Sequence, residues 1–161
     1  LHEGVPGHHF DNGLKREMSL PNIRKYGNIP AYGEGWGLYA ESLAHYLGVY
    51  DEPYALVGRY YLELWRAGRL VVDTGMHAKG WTREQAITYM VENTSSPLDN
   101  ATSEIERYMA NPGQACAYKI GELTILDLRD TARSKLGAKF DLREFHDVIL
   151  EESHMPLAVL R

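Results

Sequence analysis

The sequence predicts an all-α fold, and three observations lead to that prediction. Alternating strand patterns are nearly absent from the 161 residues, whereas residues that begin and end helices recur along the chain. Apolar side chains repeat at spacings of three and four residues, as on a buried helix face. Cys116 is the only cysteine, so a disulfide framework cannot be the basis of the fold.

The first part of the chain predicts two helices. Residues 2–18 form a kinked helix that ends before a turn-rich segment, residues 19–30. Residues 31–48 form a second helix, which Gly48 closes.

The middle of the chain predicts three further helices. A long one begins at Pro53 and runs to about His77. Thr82 and Gln85 are spaced as a capping box, which starts a helix to about residue 93. Ser96 and Pro97 give an N-cap and a proline at the first position of a helix to about residue 110.

The last part of the chain predicts a central helix and a shorter one. Residues 114–136 are apolar on several sides, so this helix is expected to be buried, and Gly137 ends it. Asp141 and Glu144 resemble a capping box and open a helix to about residue 152. No repeat or linker interrupts the pattern, so residues 1–161 are expected to form a single helical domain.

Composition narrows the classes of function. An apolar content of 44% and a charged content of 24% are ordinary for a globular protein. A net charge of −5 argues against a nucleic-acid partner, and no apolar run approaches the length of a membrane span. No initiator methionine or leader precedes Leu1, so we expect a piece of a larger chain. The sequence therefore carries no prediction of localisation.

The strongest chemical signal lies in the first nine residues. His2 and Glu3 are followed closely by His8 and His9, which resembles the H-E-x-x-H pattern of zinc hydrolases. Zinc binds neutral imidazole nitrogens, and peptide hydrolysis needs a carboxylate beside the attacking water. The pattern departs from the standard one because Pro6 stands where the second histidine belongs.

The irregular spacing makes a distortion necessary. On an ideal helix His8 points about 120° away from His2, whereas His9 lies about 20° off the same face but about 10.5 Å further along the axis. Neither fits a regular helix. Pro6 and Gly7 favour a local bulge that absorbs the extra residues and brings His8 back toward His2.

A third metal ligand is expected on the second predicted helix. Glu34, Leu38, Glu41 and His45 follow one another at spacings of four, three and four residues, so they share a helix face. Two carboxylates and an imidazole on a largely apolar face are costly to bury unless they are paired or bind a metal. The pattern predicts Glu34 as the ligand and Glu41 as the partner of a ligand histidine.

These residues and several later segments together resemble the DUF885 family, over essentially the whole chain. The segments in family order are His2–His9, Glu34–Glu41, Asp73–His77, Arg107–Tyr108, Pro112–Gly121, Phe140–His146 and Pro156–Leu157.

The resemblance implies the C-terminal part of a larger bacterial protein with a helical, zincin-like fold of the gluzincin type. It also implies one zinc ion per site, which a truncated fragment can lack, a peptide substrate, and an N-terminal region of the same protein as a further wall of the cleft.

The resemblance also implies roles for residues near the metal. In gluzincins a glycine precedes the second ligand histidine, so Gly7 favours His8 over His9 as the ligand. Glu3 is then the general base that takes a proton from the metal-activated water and passes it to the leaving amine.

Roles further from the metal leave structural alternatives open. Tyr118 is the first choice as donor to the developing oxyanion, followed by His77 and Tyr108, although a tyrosine on a long helix is more often a core residue. Arg107, with Tyr108 beside it, is expected to bind substrate as a clamp for a peptide carboxylate; the default is a surface ion pair. Lys119 could bind such a carboxylate less selectively.

The leading hypothesis is a zinc-dependent peptidase of carboxypeptidase or oligopeptidase type. A helical domain that binds metal or peptide without catalysis is the alternative. A di-iron bundle needs two Glu-x-x-His pairs on facing helices, and the sequence offers one, at residues 151–154.

Overall fold

The computed structural model describes residues 1–50 and 52–161, and throughout these residues the regular secondary structure is helical with no strand. The all-α prediction is therefore confirmed. The helices are α1 (His8–Glu17), α2 (Asn22–Tyr26), α3 (Pro30–Ser42), α4 (Ala44–Leu47), α5 (Pro53–Lys79), α6 (Arg83–Thr94), α7 (Leu98–Ala110), α8 (Ala117–Leu136), α9 (Leu142–Glu151) and α10 (Leu157–Leu160).

The largest differences between the predicted and the observed boundaries lie in the first third of the chain. The first helix begins at His8 rather than at residue 2, because residues 1–7 form a bulge described below. The second predicted helix divides at Leu43 into α3 and α4. The turn-rich segment before α3 contains the short helix α2.

Two of the three predicted caps are present. Gln85 N donates to Thr82 Oγ1 at 3.2 Å, and Thr82 N donates to Gln85 Oε1 at 2.8 Å, which completes the capping box of α6. Asp141 caps α9 by accepting from the backbone amides of Arg143 and Glu144, without the reciprocal bond that the predicted capping box needs. Ser96 does not cap α7, because Pro97 occupies the N-cap position and the helix starts one residue later than predicted.

The crossing of α3 and α8 organises one core cluster. A Cβ on Gly35 would lie 2.4 Å from the Cα of Gly121, so the two helix backbones are in direct contact at this point. Large side chains fill the space on both sides of the crossing. The buried members are Tyr32, Trp36, Tyr39, Leu43, Ile125, Ile149 and Leu150.

A second core cluster joins α5, α6 and α7. Its buried members are Val72, Ala86, Ile87, Met90, Ala101, Ile105, Tyr108 and Ala115. Across the described part of the chain, no helix combines the length and apolar character needed to cross a membrane. The N-terminal segment and α1 pack against α3, and this contact positions the candidate site.

Candidate metal centre

The N-terminal segment closes a backbone bulge ahead of α1. Four consecutive amides donate to carbonyl oxygens six residues earlier, whereas the spacing in an α-helix is four. Two residues are therefore looped out of the ladder, and His8 takes the place of a residue four positions after His2. The four bonds are Gly7 N to Leu1 O (3.1 Å), His8 N to His2 O (2.8 Å), His9 N to Glu3 O (3.1 Å) and Phe10 N to Gly4 O (3.4 Å).

Local sequence explains why the bulge closes here. A Cβ on Gly7 would lie 1.9 Å from the His2 carbonyl oxygen, so glycine is the residue that fits this close approach. The indole Nε1 of Trp36 donates to the Pro6 carbonyl at 2.8 Å, which ties the bulge to α3. The Val5–Pro6 peptide bond is cis.

The bulge brings the predicted metal-site residues together. Glu34 Oε2 lies 3.4 Å from His2 Nε2 and 3.3 Å from His8 Nε2. The two imidazole rings meet edge to face, with centroids 4.8 Å apart. Glu3 joins the same group, since His2, Glu3 and His8 present ligand atoms within 4.8 Å of one another. His9 is exposed, and His8 is the histidine that reaches Glu34.

Glycines on α3 make room for these imidazoles. A Cβ on Gly37 would lie 2.8 Å from His2 Nε2, inside van der Waals contact. A Cβ on Gly33 would lie 3.0 Å from Cε1 of His154, a second ring that packs on the same helix. The glycines around Glu34 therefore allow imidazole rings to lie close to the backbone of α3.

Glu41 orients the His2 ring. His2 Nδ1 donates to Glu41 Oε1 at 2.8 Å, and the same carboxylate oxygen lies 3.6 Å from Nη2 of Arg66. As a metal ligand with its proton on Nδ1, the ring would direct the lone pair of Nε2 to the space between Glu34 and His8. This is the arrangement by which an outer carboxylate fixes a ligand histidine.

The electrostatics of the cluster favour positive charge between the carboxylates. Burial lowers the pKa of His2, but hydrogen bonds with Glu34 and Glu41 outweigh it and raise that pKa to about 9. Burial raises the pKa of Glu34, yet hydrogen bonds with His2 and His8 lower it to about 2. The site thus holds an ionised carboxylate facing two imidazoles.

The spacing of the ligand atoms also fits a divalent ion. Two ligand atoms that lie about 2.0–2.1 Å from zinc at the tetrahedral angle are roughly 3.3–3.4 Å apart. The distances from Glu34 Oε2 to His2 Nε2 and His8 Nε2, 3.4 and 3.3 Å, have this value. Charged N–H···O hydrogen bonds are shorter, about 2.7–2.9 Å. Two imidazoles and a carboxylate are also the donor set expected for catalytic zinc.

Tyr118 lies beside this cluster. Its ring stacks on the His2 ring with centroids 6.1 Å apart and an interplanar angle of 26°. The hydroxyl accepts a hydrogen bond from Nε2 of Gln114 at 3.2 Å, and the Arg69 guanidinium covers the ring face. Its role as oxyanion donor stays a prediction.

Arg107 and Tyr108 lie in an ion-pair network rather than at the cluster. Arg107 donates from Nε and Nη2 to Glu104 at 3.1 and 2.8 Å, so its fork already holds a carboxylate. Tyr108 is 1% exposed, and its hydroxyl contacts Trp65, Arg69 and Glu104. These positions give the substrate-binding predictions for both residues no support; the ion-pair alternative describes Arg107.

His77 and Lys119 also have partners of their own. The carboxylate of Asp73 accepts from the backbone N of Gly113 and lies 3.2 Å from His77 Nδ1. No contact in the described part of the chain joins His77 to His2 or His8. Lys119 donates to Glu63 and Glu122 at 2.8 and 2.5 Å, so its ammonium is also occupied.

Two cavities include His8 in their lining, and the sequence predicts neither. An open cleft of about 450 Å³ extends from Glu3, His8 and His9 to Arg16. A second cavity of about 440 Å³ shares His8, Asn12 and Arg16 with this cleft. We call it the basic cavity; its lining includes His8, Asn12, Lys15, Arg16, Lys25, Asn28, Glu34 and His154.

Part of the lining of the basic cavity can be predicted from the sequence. His8, Asn12, Lys15 and Arg16 follow one another at helical spacing, so one face of α1 continues from the metal motif. The position of His154 in this cavity cannot be predicted in this way. It pairs with Asp11 across almost the whole chain, at 2.7 Å between Nε2 and Oδ2.

Comparisons with known proteins match the chain over its full length. The family model described as "Bacterial protein of unknown function (DUF885)" matches residues 1–161. The crystal structure of a "putative lipoprotein" from Colwellia psychrerythraea is similar, with 53% identity, a TM-score of 0.95, and coverage of 99% of this chain and 28% of that one. A "putative lipoprotein of unknown function" from Shewanella oneidensis shares 27% identity and has a TM-score of 0.88, with coverage of 98% and 29%. No curated protein matches significantly.

Proposed function

From the premise that this chain belongs to the DUF885 family of bacterial proteins, we propose that it carries the metal centre of a zinc-dependent peptidase. The chain spans less than a third of the length of the two similar structures, so the proposal concerns the longer protein to which such a segment belongs. The peptidase is of carboxypeptidase or oligopeptidase type.

The convergence of His2, His8 and Glu34 carries the proposal. Their three ligand atoms come from two separate parts of the chain and approach to 3.3–3.4 Å around Glu34 Oε2. Three protein ligands leave a fourth position of a tetrahedral zinc ion open, as catalytic sites require. The side chains of His2, His8 and Glu34 are 11%, 23% and 23% exposed, so the centre is accessible without being fully solvated.

Each nearby residue has a distinct task in this proposal. Zinc supplies Lewis acidity to a water molecule and to the carbonyl oxygen of the peptide bond. Glu3, exposed beside both histidines, accepts a proton from the water and transfers it to the leaving nitrogen. Glu41 keeps the His2 proton on Nδ1, and Tyr118 provides a hydroxyl next to the centre.

Replacing Glu3 separates catalysis from metal binding. In the zinc-loaded full-length protein, Glu3→Gln is expected to retain about one zinc per chain while hydrolysis of a defined peptide mixture falls roughly 100- to 10,000-fold. Metal analysis and mass spectrometry of the digest measure the two quantities. Glu17→Gln is the matched control, because Glu17 is an exposed acid on α1.

The opposite results would reject the peptidase. A full-length protein that binds no zinc contradicts the metal centre. Bound zinc without hydrolysis, or hydrolysis that Glu3→Gln leaves unchanged, favours the alternative of a domain that binds metal or peptide without this catalysis.

A further inference from the structure

The basic cavity beside the metal centre concentrates positive charge. Lys15, Arg16 and Lys25 line it, and Glu34 is the one acidic residue among its lining residues. Because Glu34 is also a proposed zinc ligand, the cavity walls themselves carry cations without an acid. This is unusual in a chain whose net charge is −5.

These three cations have no ion-pair partner within the described residues, whereas most arginines elsewhere in that part of the chain do. Arg69 and Arg107, for example, share Glu104, and Arg59 pairs with Glu63. Unpaired cations are ordinary on an open surface. Three that converge on one concavity next to a metal centre form a place where an anion is favoured.

Two of the three cations, Lys15 and Lys25, are also held in position. Lys15, whose residue is 5% exposed, donates its ammonium to the Gly27 carbonyl at 3.0 Å. Lys25 donates to the Arg16 carbonyl at 3.2 Å, which ties the segment around α2 to the end of α1. The wall of the cavity is therefore built from two segments that bind each other.

His154 adds a buried polar atom to the same wall. Its side chain is 5% exposed, its Nε2 donates to the buried Asp11 carboxylate, and Nδ1 has no hydrogen-bond partner among the described residues. Since Asp11 fixes the proton on Nε2, Nδ1 of the neutral ring is a free acceptor. A buried polar atom without a partner is costly, and an N–H of a ligand that reaches Nδ1 would offset that cost.

We propose that the basic cavity binds the carboxylate group of a peptide substrate, with Arg16 and Lys25 as its cationic partners and His154 as acceptor for an N–H of the same residue. A bound carboxylate there places the adjoining peptide bond toward His8 and Glu34, which border the cavity. The proposal rests on the proposed function in taking a peptide as the ligand. It assigns carboxylate recognition to this cavity instead of Arg107, whose fork is occupied.

The binding of three peptides tests this assignment and shows whether the bound carboxylate is the chain terminus or an acidic side chain. The peptides share one sequence and an N-terminal fluorophore. One ends in a free carboxylate, one in a neutral carboxamide, and one in a carboxamide with glutamate as the last residue. Fluorescence anisotropy on the full-length protein carrying Glu3→Gln measures each Kd without turnover, with zinc and after its removal.

The paired substitution Arg16→Gln with Lys25→Gln is the decisive variant. It is expected to raise roughly 10- to 100-fold the Kd of whichever peptide binds through its carboxylate, because the charged hydrogen bonds to that group are lost. The Kd of the neutral peptide is expected to stay unchanged. Lys135→Gln is the control, as an exposed lysine on α8 away from the cavity. Both replaced cations are at least partly exposed, and thermal unfolding checks that the variant is folded.

Each outcome decides the proposal. Tighter binding of the free-carboxylate peptide, lost in the paired variant, identifies the chain terminus as the source; the same result for the glutamate peptide identifies an acidic side chain. Equal affinity for all three peptides, or a carboxylate preference that the paired variant retains, overturns the assignment. If the preference is present but the wild-type protein hydrolyses none of the peptides, the peptidase proposal fails and the carboxylate site stands.

Discussion

Two polar clusters lie on either side of Tyr118, and they are built in opposite ways. In the network around Glu104, this carboxylate accepts from Arg69 at 3.0 Å, from Arg107 at 2.8 Å and from the Tyr108 hydroxyl at 2.8 Å. At the metal centre, Glu34 faces two ring nitrogens at 3.3–3.4 Å.

The two clusters differ in charge and in contact length. Around Glu104 two guanidiniums share one carboxylate and every contact has the length of a hydrogen bond, so the network stabilises the fold by itself. At the metal centre, Glu3, Glu34 and Glu41 gather with one guanidinium, that of Arg66, and the contacts of Glu34 are longer. Under the proposed function, a metal ion completes this cluster.

The largest expected effect is on zinc affinity, which we expect to depend on the metal centre and not on the network around Glu104. Glu34→Gln removes the charged ligand, and we expect zinc affinity to fall by well over 100-fold, since losing even a partner behind a ligand costs about 10- to 100-fold. Competition with a chelator measures the affinity in the full-length protein. If the affinity of Glu34→Gln equals that of the Glu17→Gln control, Glu34 is not a ligand.

A second substitution tests the residue behind the ligand. Glu41→Gln keeps an acceptor for His2 Nδ1 but removes its charge, so zinc affinity is expected to fall about 10- to 100-fold. The same chelator competition measures it. An unchanged affinity would show that Glu41 serves the fold through Arg66 rather than the metal.

The matched substitution in the other cluster is expected to act on stability alone. Glu104→Gln removes the charged acceptor of three donors, which costs about 1–3 kcal/mol in the free energy of unfolding. Denaturant unfolding of the full-length protein gives the change, and zinc affinity is expected to stay at the wild-type value. A loss of zinc affinity in this variant would break the distinction between the clusters.

The smallest expected effect is the pH dependence of the stability difference between the wild type and Glu104→Gln. Burial raises the pKa of Glu104, but hydrogen bonds from Arg107 and Tyr108 outweigh it and lower the pKa to about 2, from 4.5 in the unfolded chain. A carboxyl with a lowered pKa stabilises the fold above its unfolded value and loses that contribution as pH falls toward the folded value. The stability gap between wild type and Glu104→Gln is therefore expected to shrink from neutral pH to about pH 3. A gap that stays constant would contradict the charged network.

Much of the fold and the centre of the site were predictable because their signals are local. The capping box at Thr82 and the glycine that ends α8 depend on neighbours a few residues away. Helical spacing predicts that Glu34 and Glu41 share one face, and Pro6 and Gly7 predict the bulge because they disfavour a regular helix.

The rest of the site depends on contacts between distant segments. Arg107 and Tyr108 follow a family pattern, but their partners, Arg69 on α5 and Glu104, decide that they belong to an ion-pair network. His154 finds Asp11 from the other end of the chain. Helical periodicity describes one element at a time, so pairings of this kind lie beyond it.

In the N-terminal bulge each amide bonds a carbonyl six residues earlier. The number of residues between His2 and His8 therefore does not determine how far apart they lie along the helix axis. Carbonyl-to-amide closure, rather than the number of intervening amino acids, sets the height of His8 above His2. Excising Val5 and Pro6 would leave His-Glu-Gly-Gly-His, an uninterrupted pattern with the same two imidazoles one turn apart. This deletion would remove the hydrogen bond between the Trp36 indole and the Pro6 carbonyl. A search for histidines at one fixed spacing overlooks such a centre, because the two additional residues are accommodated in a bulge.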